Sequence, residues 1–262
     1  MNESLTSESI VVGIDGSQAA IRAALWALDE AVSRDVPLLL LYVIEQVDAE
    51  EADELAIAET VLRHAVTAVE GTGRPVKIET EIDQGPAITS LTHASESAAM
   101  VCVGAVGLRH VEPGPLGATA RALTTSAQCP VAVVRGHDDY RRQPGKGIVV
   151  EVDGSAENYV LLSAAREEAR LRNAAVQAVF CGRTIPGLDR GLDRCGRRYP
   201  RFGVESARVG SLLDYLAHNG RSVQLVIVDS HNQHLQELLE PTGSAILQGS
   251  DCSLLVFNHQ HL

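Results

Sequence analysis

The sequence predicts an α/β protein in which two similar domains follow one another, each a five-stranded parallel sheet with helices on both faces. Two observations support this prediction. The segment IVVGIDGS at 10–17 returns as IVVEVDGS at 148–155, and the same offset of 138 residues carries Tyr42 onto Phe180 without a gap. Within the first half, short β-branched runs alternate with stretches of helical periodicity, as expected for parallel strands joined by crossover helices.

The first strand and helix are the most clearly marked elements. Residues 10–14 form a β-branched run, and the turn at 15–17 ends in a serine that can cap a helix. Apolar residues then recur at spacings of three and four up to the break at Pro37, which indicates an amphipathic helix. The apolar run at 37–44 predicts a buried second strand.

The rest of the first half continues the alternation of helix and strand. The further predicted elements are a helix at 50–70 stopped by Gly71 and Gly73, a strand at 76–82, a helix opened by Pro86, a strand at 100–103, a helix at 117–128 and a strand at 130–134. We expect the sheet order 3-2-1-4-5.

The domain boundaries follow from composition. Residues 1–135 form the first predicted domain, the aperiodic segment 136–147 is the linker, and 148–262 is a shortened second domain. Its middle, 181–203, has no convincing counterpart to the helix at 50–70.

Composition excludes several classes of function. The 262 residues carry a formal net charge of −12, which disfavours nucleic acid as a partner. The first residues lack the apolar core of a signal peptide, and the apolar run at 36–44 is too short to cross a bilayer. The five cysteines form no C-x-x-C pair. We therefore expect a cytoplasmic protein without a membrane partner, whose thiols are reduced.

A candidate ligand site lies where the first and fourth strands end. Asp15 follows the first strand, and glycines at 104, 107 and 117 surround the end of the fourth. In the predicted order these strands are adjacent, so both loops border one crevice. Glycines allow backbone N–H groups to approach an oxyanion, and a helix start adds partial positive charge. A plain strand-to-helix connection is the alternative interpretation of the same glycines.

The spacing Gly104-x2-Gly107-x9-Gly117 resembles the nucleotide signature of the universal stress protein family. The segment VGIDGS, the ending CPVAVV at 129–134 and the tandem duplication are similar to that family too. The resemblance implies a flavodoxin-like, Rossmann-like fold, often dimeric or tandem, that in one branch binds ATP. It also implies a role in starvation, hypoxia or other stress, without a defined catalytic reaction.

Carried over by position, the resemblance assigns roles to individual residues. Asp15 matches the acid that faces ribose and adenine, and Val43 matches the aliphatic residue that lies against adenine. Gly104, Gly107 and Gly117 match the phosphate loop. We expect no catalytic residues, and no metal among the cofactors.

The sequence departs from the family pattern after the last of these glycines. The family has a serine or threonine at the next position, where this chain has Ala118, and a hydroxyl returns only at Thr119. A hydrogen bond to a charged oxygen contributes about 1.5–3 kcal/mol, so we expect weak ATP binding. Arg109 and His110 either offset this loss or are solvated, and the solvated interpretation is favoured.

The second half departs further. Asp229 and Ser230 replace the first glycine of the loop, Gly243 remains without its partners, and Asp153 is explained by its turn. We therefore expect nucleotide binding in the first domain only.

The histidines predict no metal site. His231 and His234 stand three apart, His259 and His261 lie near the end, and neither pair supplies enough ligands.

These observations favour a regulatory or sensing module over an enzyme, with an adenine nucleotide and a regulatory protein as partners. One alternative is a nucleotide-free interaction scaffold. The other is an adenine-nucleotide α-hydrolase-like enzyme, against which the loop at 13–17 counts because it lacks the Ser-Gly-Gly-x-Asp-Ser pattern of that group.

The last strands of the two halves, at 131–134 and 254–257, are both apolar edges. Their antiparallel pairing would cover both edges, so we expect a pseudo-dimer within the chain. The resemblance also allows a homodimer of whole chains.

Overall fold

The computed structural model describes residues 8–45, 51–108, 116–136, 145–152, 158–181 and 204–258. It contains two compact units. The first comprises Met1–Tyr140 with Asn258–Leu262, and the second comprises Arg141–Phe257. Within the described ranges, no helix combines the length and the apolar character needed to cross a bilayer.

The first unit alternates strand and helix throughout. Its elements are β1 (Ser9–Ile14), α1 (Gln18–Arg34), β2 (Leu38–Ile44), α2 (Glu51–Glu70), β3 (Ile78–Gln84), α3 (Ala87–Ala94), β4 (Ala98–Gly104), α4 (Ala118–Ser126) and β5 (Val131–Val134). All strand pairs between them are parallel, in the order β3-β2-β1-β4-β5. The predicted fold class and sheet order are confirmed.

The first helix begins and ends at well-defined caps. Ser17 Oγ accepts a hydrogen bond from Ala20 N–H at 3.0 Å, a contact that contributes about 1 kcal/mol. At the other end Asp35 adopts the left-handed conformation with φ of 55°, which lets the chain leave the helix before β2. The face between these caps is rich in alanine and packs against a strand, β1, that is buried along most of its length.

The third strand begins and ends two residues later than predicted. Residues of β3 alternate only weakly between exposed and covered positions, because β3 is the last strand on its side of the first unit's sheet. The bounds are instead determined by parallel pairing with β2, in which Leu38 is opposite Ile78 and Ile44 is opposite Gln84.

The second unit repeats this plan. Its described elements are β6 (Gly147–Val152), α5 (Asn158–Arg172), β7 (Val176–Cys181), β8 (Val204–Val209), α6 (Leu212–Asn219), a 3-10 turn (Gly220–Ser222), β9 (Val223–Asp229), α7 (Gln233–Leu239), α8 (Pro241–Ser250) and β10 (Ser253–Phe257). All its strand pairs are parallel, in the order β8-β7-β6-β9-β10. The segment 182–203 lies outside the described residues.

The offset of 138 residues also relates irregularities of the backbone in the two units. The register of β1 with β4 shifts between Ser9 and Ile10, and that of β6 with β9 shifts between Gly147 and Ile148. The left-handed residue after the first helix of each unit is Asp35 in one and Asn173 in the other. The repeat therefore preserves irregularities as well as regular elements.

The same offset relates two buried ion pairs. Glu30 lies one turn before Arg34 on α1, with a distance of 3.2 Å between the charged atoms, and Glu168 lies one turn before Arg172 on α5. Both glutamate side chains are 2% exposed, so each carboxylate is buried beside a cation.

The cysteines of the described ranges form no disulfide. Cys102, Cys129 and Cys252 are buried, and Cys181 is half-buried at the end of β7. Cys129 and Cys252 also match in detail, since each thiol donates to the carbonyl of the following residue. Cys195 lies outside the described residues.

We expect Cys129 to be unreactive in the folded protein. Burial raises the pKa of its thiol to about 12, so its thiolate fraction at pH 8 is on the order of one in ten thousand. Labelling with a maleimide at pH 8, followed by mass spectrometry of the peptides, measures this directly. The unfolded protein in guanidinium is the control and should label fully. Labelling of native Cys129 at the unfolded rate would contradict the burial argument.

Candidate functional site

The crevice of the first unit opens where the strand order reverses. β1 and β4 are neighbours, and their connections lead to different helices, so their carboxyl ends border a gap in which open α/β sheets bind ligands. Asp15 directly follows β1, and Gly104 is the last residue of β4. The structure thus brings the two predicted loops to one edge.

Asp15 joins these two loops. The Oδ1 atom accepts a hydrogen bond from Ser17 N–H at 2.9 Å, within its own turn. The Oδ2 atom accepts one from Leu108 N–H at 2.8 Å, across the crevice. A half-buried carboxylate with two backbone donors is held in a single orientation at the edge of the site.

Gly107 is required by this contact. A Cβ atom added there would lie 2.8 Å from Asp15 Oδ2, so any side chain would push the carboxylate away from Leu108. Gly107 and the adjoining Leu108 are both exposed. The glycine at 107 is therefore explained by the position of the Asp15 carboxylate.

Position 104 is occupied by glycine for a different reason. A Cβ atom there would lie 2.7 Å from the backbone carbonyl carbon of Ala19 and 2.9 Å from its oxygen. The end of β4 thus passes directly beneath the first turn of α1, at a distance that only glycine permits. Gly104 therefore affects the shape of the site through its packing against Ala19, and this effect needs no ligand.

Gly117 lies against the backbone of the loop at 105–107, at ordinary van der Waals distance. It is the N-cap of α4, with φ of −58° and ψ of 151°, a conformation open to other residues. Its N–H donates to Ala105 O at 2.9 Å, and an added Cβ would lie 3.7 Å from Gly107 N. We use the word cradle for the region between the backbone at 105–107 and the first turn of α4. A larger side chain at 117 would project into this region.

The remaining predicted residues lie on α4 and β2. Thr119 is half-buried in the first turn of α4, whereas Ala118 is exposed. Val43 is the penultimate residue of β2 and half-buried, and since Ile14 pairs with Tyr42, Val43 is level with Asp15. Arg109 and His110 lie outside the described residues.

The end of β9 in the second unit, which is equivalent to the end of β4 in the first, carries different residues. Ser230 N–H donates to Phe257 O at 2.9 Å, as Ala105 N–H donates to Val134 O at 3.0 Å, so Asp229 occupies the position of Gly104. Its Oδ1 atom accepts from His231 N–H at 2.7 Å. An acid at this position supports the expectation that this unit binds no phosphate.

Gly243 is a packing residue in this structure. It lies within α8, and a Cβ there would overlap the carbonyl of Glu237 on α7. The two helices approach closely at this glycine, so it does not reproduce the open cradle of Gly117. Asp153 lies outside the described residues.

A cluster that the sequence analysis missed lies in the second unit. The ligand atoms of Glu151, Cys181 and His234 all lie within 4.8 Å of one another. Burial raises the pKa of the Glu151 carboxyl, and the nearby His234, Cys181 and Asn232 oppose this shift.

The Cys181 thiol belongs to the same environment. Burial and the neighbouring carboxylates of Glu151 and Glu237 raise the pKa of this thiol to about 12. Cys181 is the last residue of strand β7, whereas the sequence predicted it as part of the irregular segment 181–203.

The two histidines considered together in the sequence have separate surroundings. His231 precedes α7 with its side chain 78% exposed, whereas His234 lies on α7 with its side chain 12% exposed. Alignment of the two repeats could have drawn attention to Glu151, because it is a charged residue inside an otherwise apolar strand.

Comparison with known proteins gives concordant results. Residues 6–135 match the model of the universal stress protein family. A universal stress protein of Mycobacterium tuberculosis is 50% identical over 279 residues, covering 100% of both chains. Another from the same organism is 39% identical over 262 residues, covering 96% of each. The crystal structure of a universal stress protein from Archaeoglobus fulgidus superposes with a TM-score of 0.72 at 15% identity, covering 97% of this chain and 96% of that one.

We expect Gly104→Ala to destabilise the first unit without any ligand present. Its methyl group would overlap the Ala19 backbone, and overpacking of this kind costs about 1–3 kcal/mol in the free energy of unfolding. Urea denaturation followed by circular dichroism measures the change. Gly249→Ala on α8 is the matched control, because its Cβ would have nothing within 4 Å. Equal denaturation midpoints for Gly104→Ala and the parent would show that the contact is not tight.

Proposed function

Since the chain belongs to the universal stress protein family, we propose that it is a cytoplasmic stress-response module that regulates or senses through weak ATP binding in its first unit. The second unit serves as a scaffold or partner surface and binds no nucleotide. The protein acts through the bound nucleotide and a regulatory protein partner, without turnover of its own.

The start of helix α4 at Gly117 carries this proposal. Arg121 N–H donates to Gly117 O at 2.9 Å, which closes the first turn of α4, so the N–H groups before it have no intrahelical acceptor. These donors and the positive end of the helix dipole suit a phosphate oxygen. A Cβ at 117 would stand over the loop at 105–107, which supports a role for this glycine in leaving room.

Asp15 supports the orientation of the nucleotide that the family resemblance implies. Its carboxylate is held by Ser17 and Leu108 at the edge of the crevice, where negative charge repels phosphate and favours the hydroxyl groups of a ribose. Val43 lies level with it on the neighbouring strand and offers an apolar surface to a base.

Affinity is expected to be low for two reasons. The chain carries a formal net charge of −12, which opposes a polyanionic ligand. The residue after Gly117 is an exposed alanine, so the first turn of α4 lacks the hydroxyl that the family pattern has there. Thr119 is one residue too late to take the same position on the helix.

We expect Gly117→Val to abolish ATP binding while the fold is retained. The backbone angles of Gly117 are open to valine, but the branched side chain would fill the cradle above 105–107. Isothermal titration of ATP into the full-length protein measures binding, and circular dichroism checks the fold. Gly249→Val is the matched control, at a helical glycine with open space around it, and should bind ATP as the parent does.

We expect Ala118→Ser to tighten ATP binding by about 10- to 100-fold. The added hydroxyl can donate to a phosphate oxygen, and such a charge-assisted hydrogen bond contributes about 1.5–3 kcal/mol. The same titration compares it with the parent, with Ala122→Ser further along α4 as a control that should change nothing. If the parent and Ala118→Ser both fail to bind ATP, or Gly117→Val binds as the parent does, the nucleotide proposal is wrong. The ligand-free interaction scaffold then replaces it.

A further inference from the structure

The carboxyl end of the second unit's sheet carries three metal-ligating side chains from three separate elements. Glu151 comes from β6, Cys181 is the last residue of β7, and His234 is the second residue of α7, which follows β9. β6 lies between β7 and β9 in the sheet, so the three residues meet at the point where the strand order of this unit reverses. This is the general location of ligand sites in open parallel sheets.

The three ligand atoms lie close enough together to bind a single ion. Glu151 Oε1 and His234 Nδ1 are 2.5 Å apart, and all three ligand atoms lie within 4.8 Å of one another. Two ligands of one tetrahedral zinc ion are about 3.3–3.8 Å apart, given bond lengths of about 2.0–2.3 Å. The Glu151 and His234 side chains would therefore separate slightly to bind one ion.

Glu151 is buried with part of its hydrogen-bonding capacity unused, although His234, Cys181 and Asn232 lie near its carboxyl group. Its side chain is 2% exposed, and His234 contacts one carboxylate oxygen only. The other oxygen, Oε2, is buried and has no hydrogen-bond partner among the described residues. An unsatisfied buried carboxylate oxygen is costly, and a cation is the partner that compensates for it most fully.

Comparison with the first unit shows which residues stand at the equivalent positions there. The offset of 138 places Glu151 at the position of Gly13, and β1 and β6 pair in the same register with β2 and β7. A Cβ at Gly13 would already lie 3.2 Å from Leu91 Cδ1 and Val103 Cγ1, so the first unit keeps this position small and apolar. Cys181 likewise stands where the first unit has Val43. The second unit therefore has ligand atoms at two positions where the first unit has none.

The donor set identifies the class of metal. Thiolate, imidazole and carboxylate together are typical of zinc, whereas magnesium and calcium prefer oxygen alone. Three protein ligands leave a fourth position for water or an exchangeable ligand, since structural zinc sites have four.

We propose that Glu151, Cys181 and His234 bind one zinc ion in the second unit. This site is separate from the ATP cradle of the first unit, and it would make the second unit a metal-binding module.

The test is metal binding by the full-length protein. Equilibrium dialysis against Zn²⁺, with elemental analysis, should find one ion per chain that is lost in Glu151→Gln, Cys181→Ala and His234→Gln. Each variant should weaken binding by about 100-fold or more, because even outer-shell changes cost about 10–100-fold. His231→Gln, an exposed neighbouring histidine, and Cys129→Ala, a buried thiol elsewhere, are the matched controls and should retain the ion.

Cobalt substitution tests the parent protein independently of whether any variant folds. Co²⁺ should give the intense visible bands of tetrahedral coordination and a thiolate-to-cobalt charge-transfer band. Failure of the parent to bind zinc, a cobalt spectrum without the thiolate band, or undiminished zinc binding by folded variants of all three residues would each overturn the proposal.

Discussion

The candidate site of the first unit depends on the close approach of Gly104 to the backbone of Ala19. Because β4 ends directly beneath the first turn of α1, the residues after it turn across the carboxyl end of β1. That path brings Leu108 N–H to Asp15, which in turn orders the turn before α1 through Ser17 N–H. A strand that ended further from the helix would leave the Asp15 carboxylate with donors from its own turn alone.

The two units share a framework and differ in their crevices. The register shifts, the left-handed residues at Asp35 and Asn173, and the buried glutamate–arginine pairs are all preserved at the same offset. These features determine how the helices leave and rejoin the strands. At the carboxyl ends of the strands, Gly13 and Val43 of the first unit correspond to Glu151 and Cys181 of the second. The connection before the last strand also differs, with the single helix α4 in the first unit and the two helices α7 and α8 in the second.

Much of the fold was predictable, because helices and strands with one strongly apolar face leave a clear pattern. β1 and α1 followed from a β-branched run and a regular helical stripe, and both are largely buried. β3 was displaced by two residues because a strand with little buried surface carries little pattern. The separate helices α7 and α8 were not predicted, since their junction depends on a tertiary contact at Gly243.

The site residues were harder to interpret than the elements. All three glycines of the loop were expected to serve a phosphate, yet Gly104 has a steric cause that only the position of Ala19 reveals. The cluster of Glu151, Cys181 and His234 was missed because its members are separated by 30 and 53 positions in the chain. Proximity of that kind arises from sheet order, which no local window of sequence contains.

The central position of β1 also has a consequence for folding. β1 pairs with β2 and β4, and its partner in β4 lies about 90 residues further along the chain, with Ser9 opposite Ala98. Such non-local pairing gives a high contact order and slow folding. During synthesis β1 is made before β4 and must wait for it before both of its edges are paired. A newly made chain therefore passes through a period in which one edge of this apolar strand is open to chaperones or to aggregation.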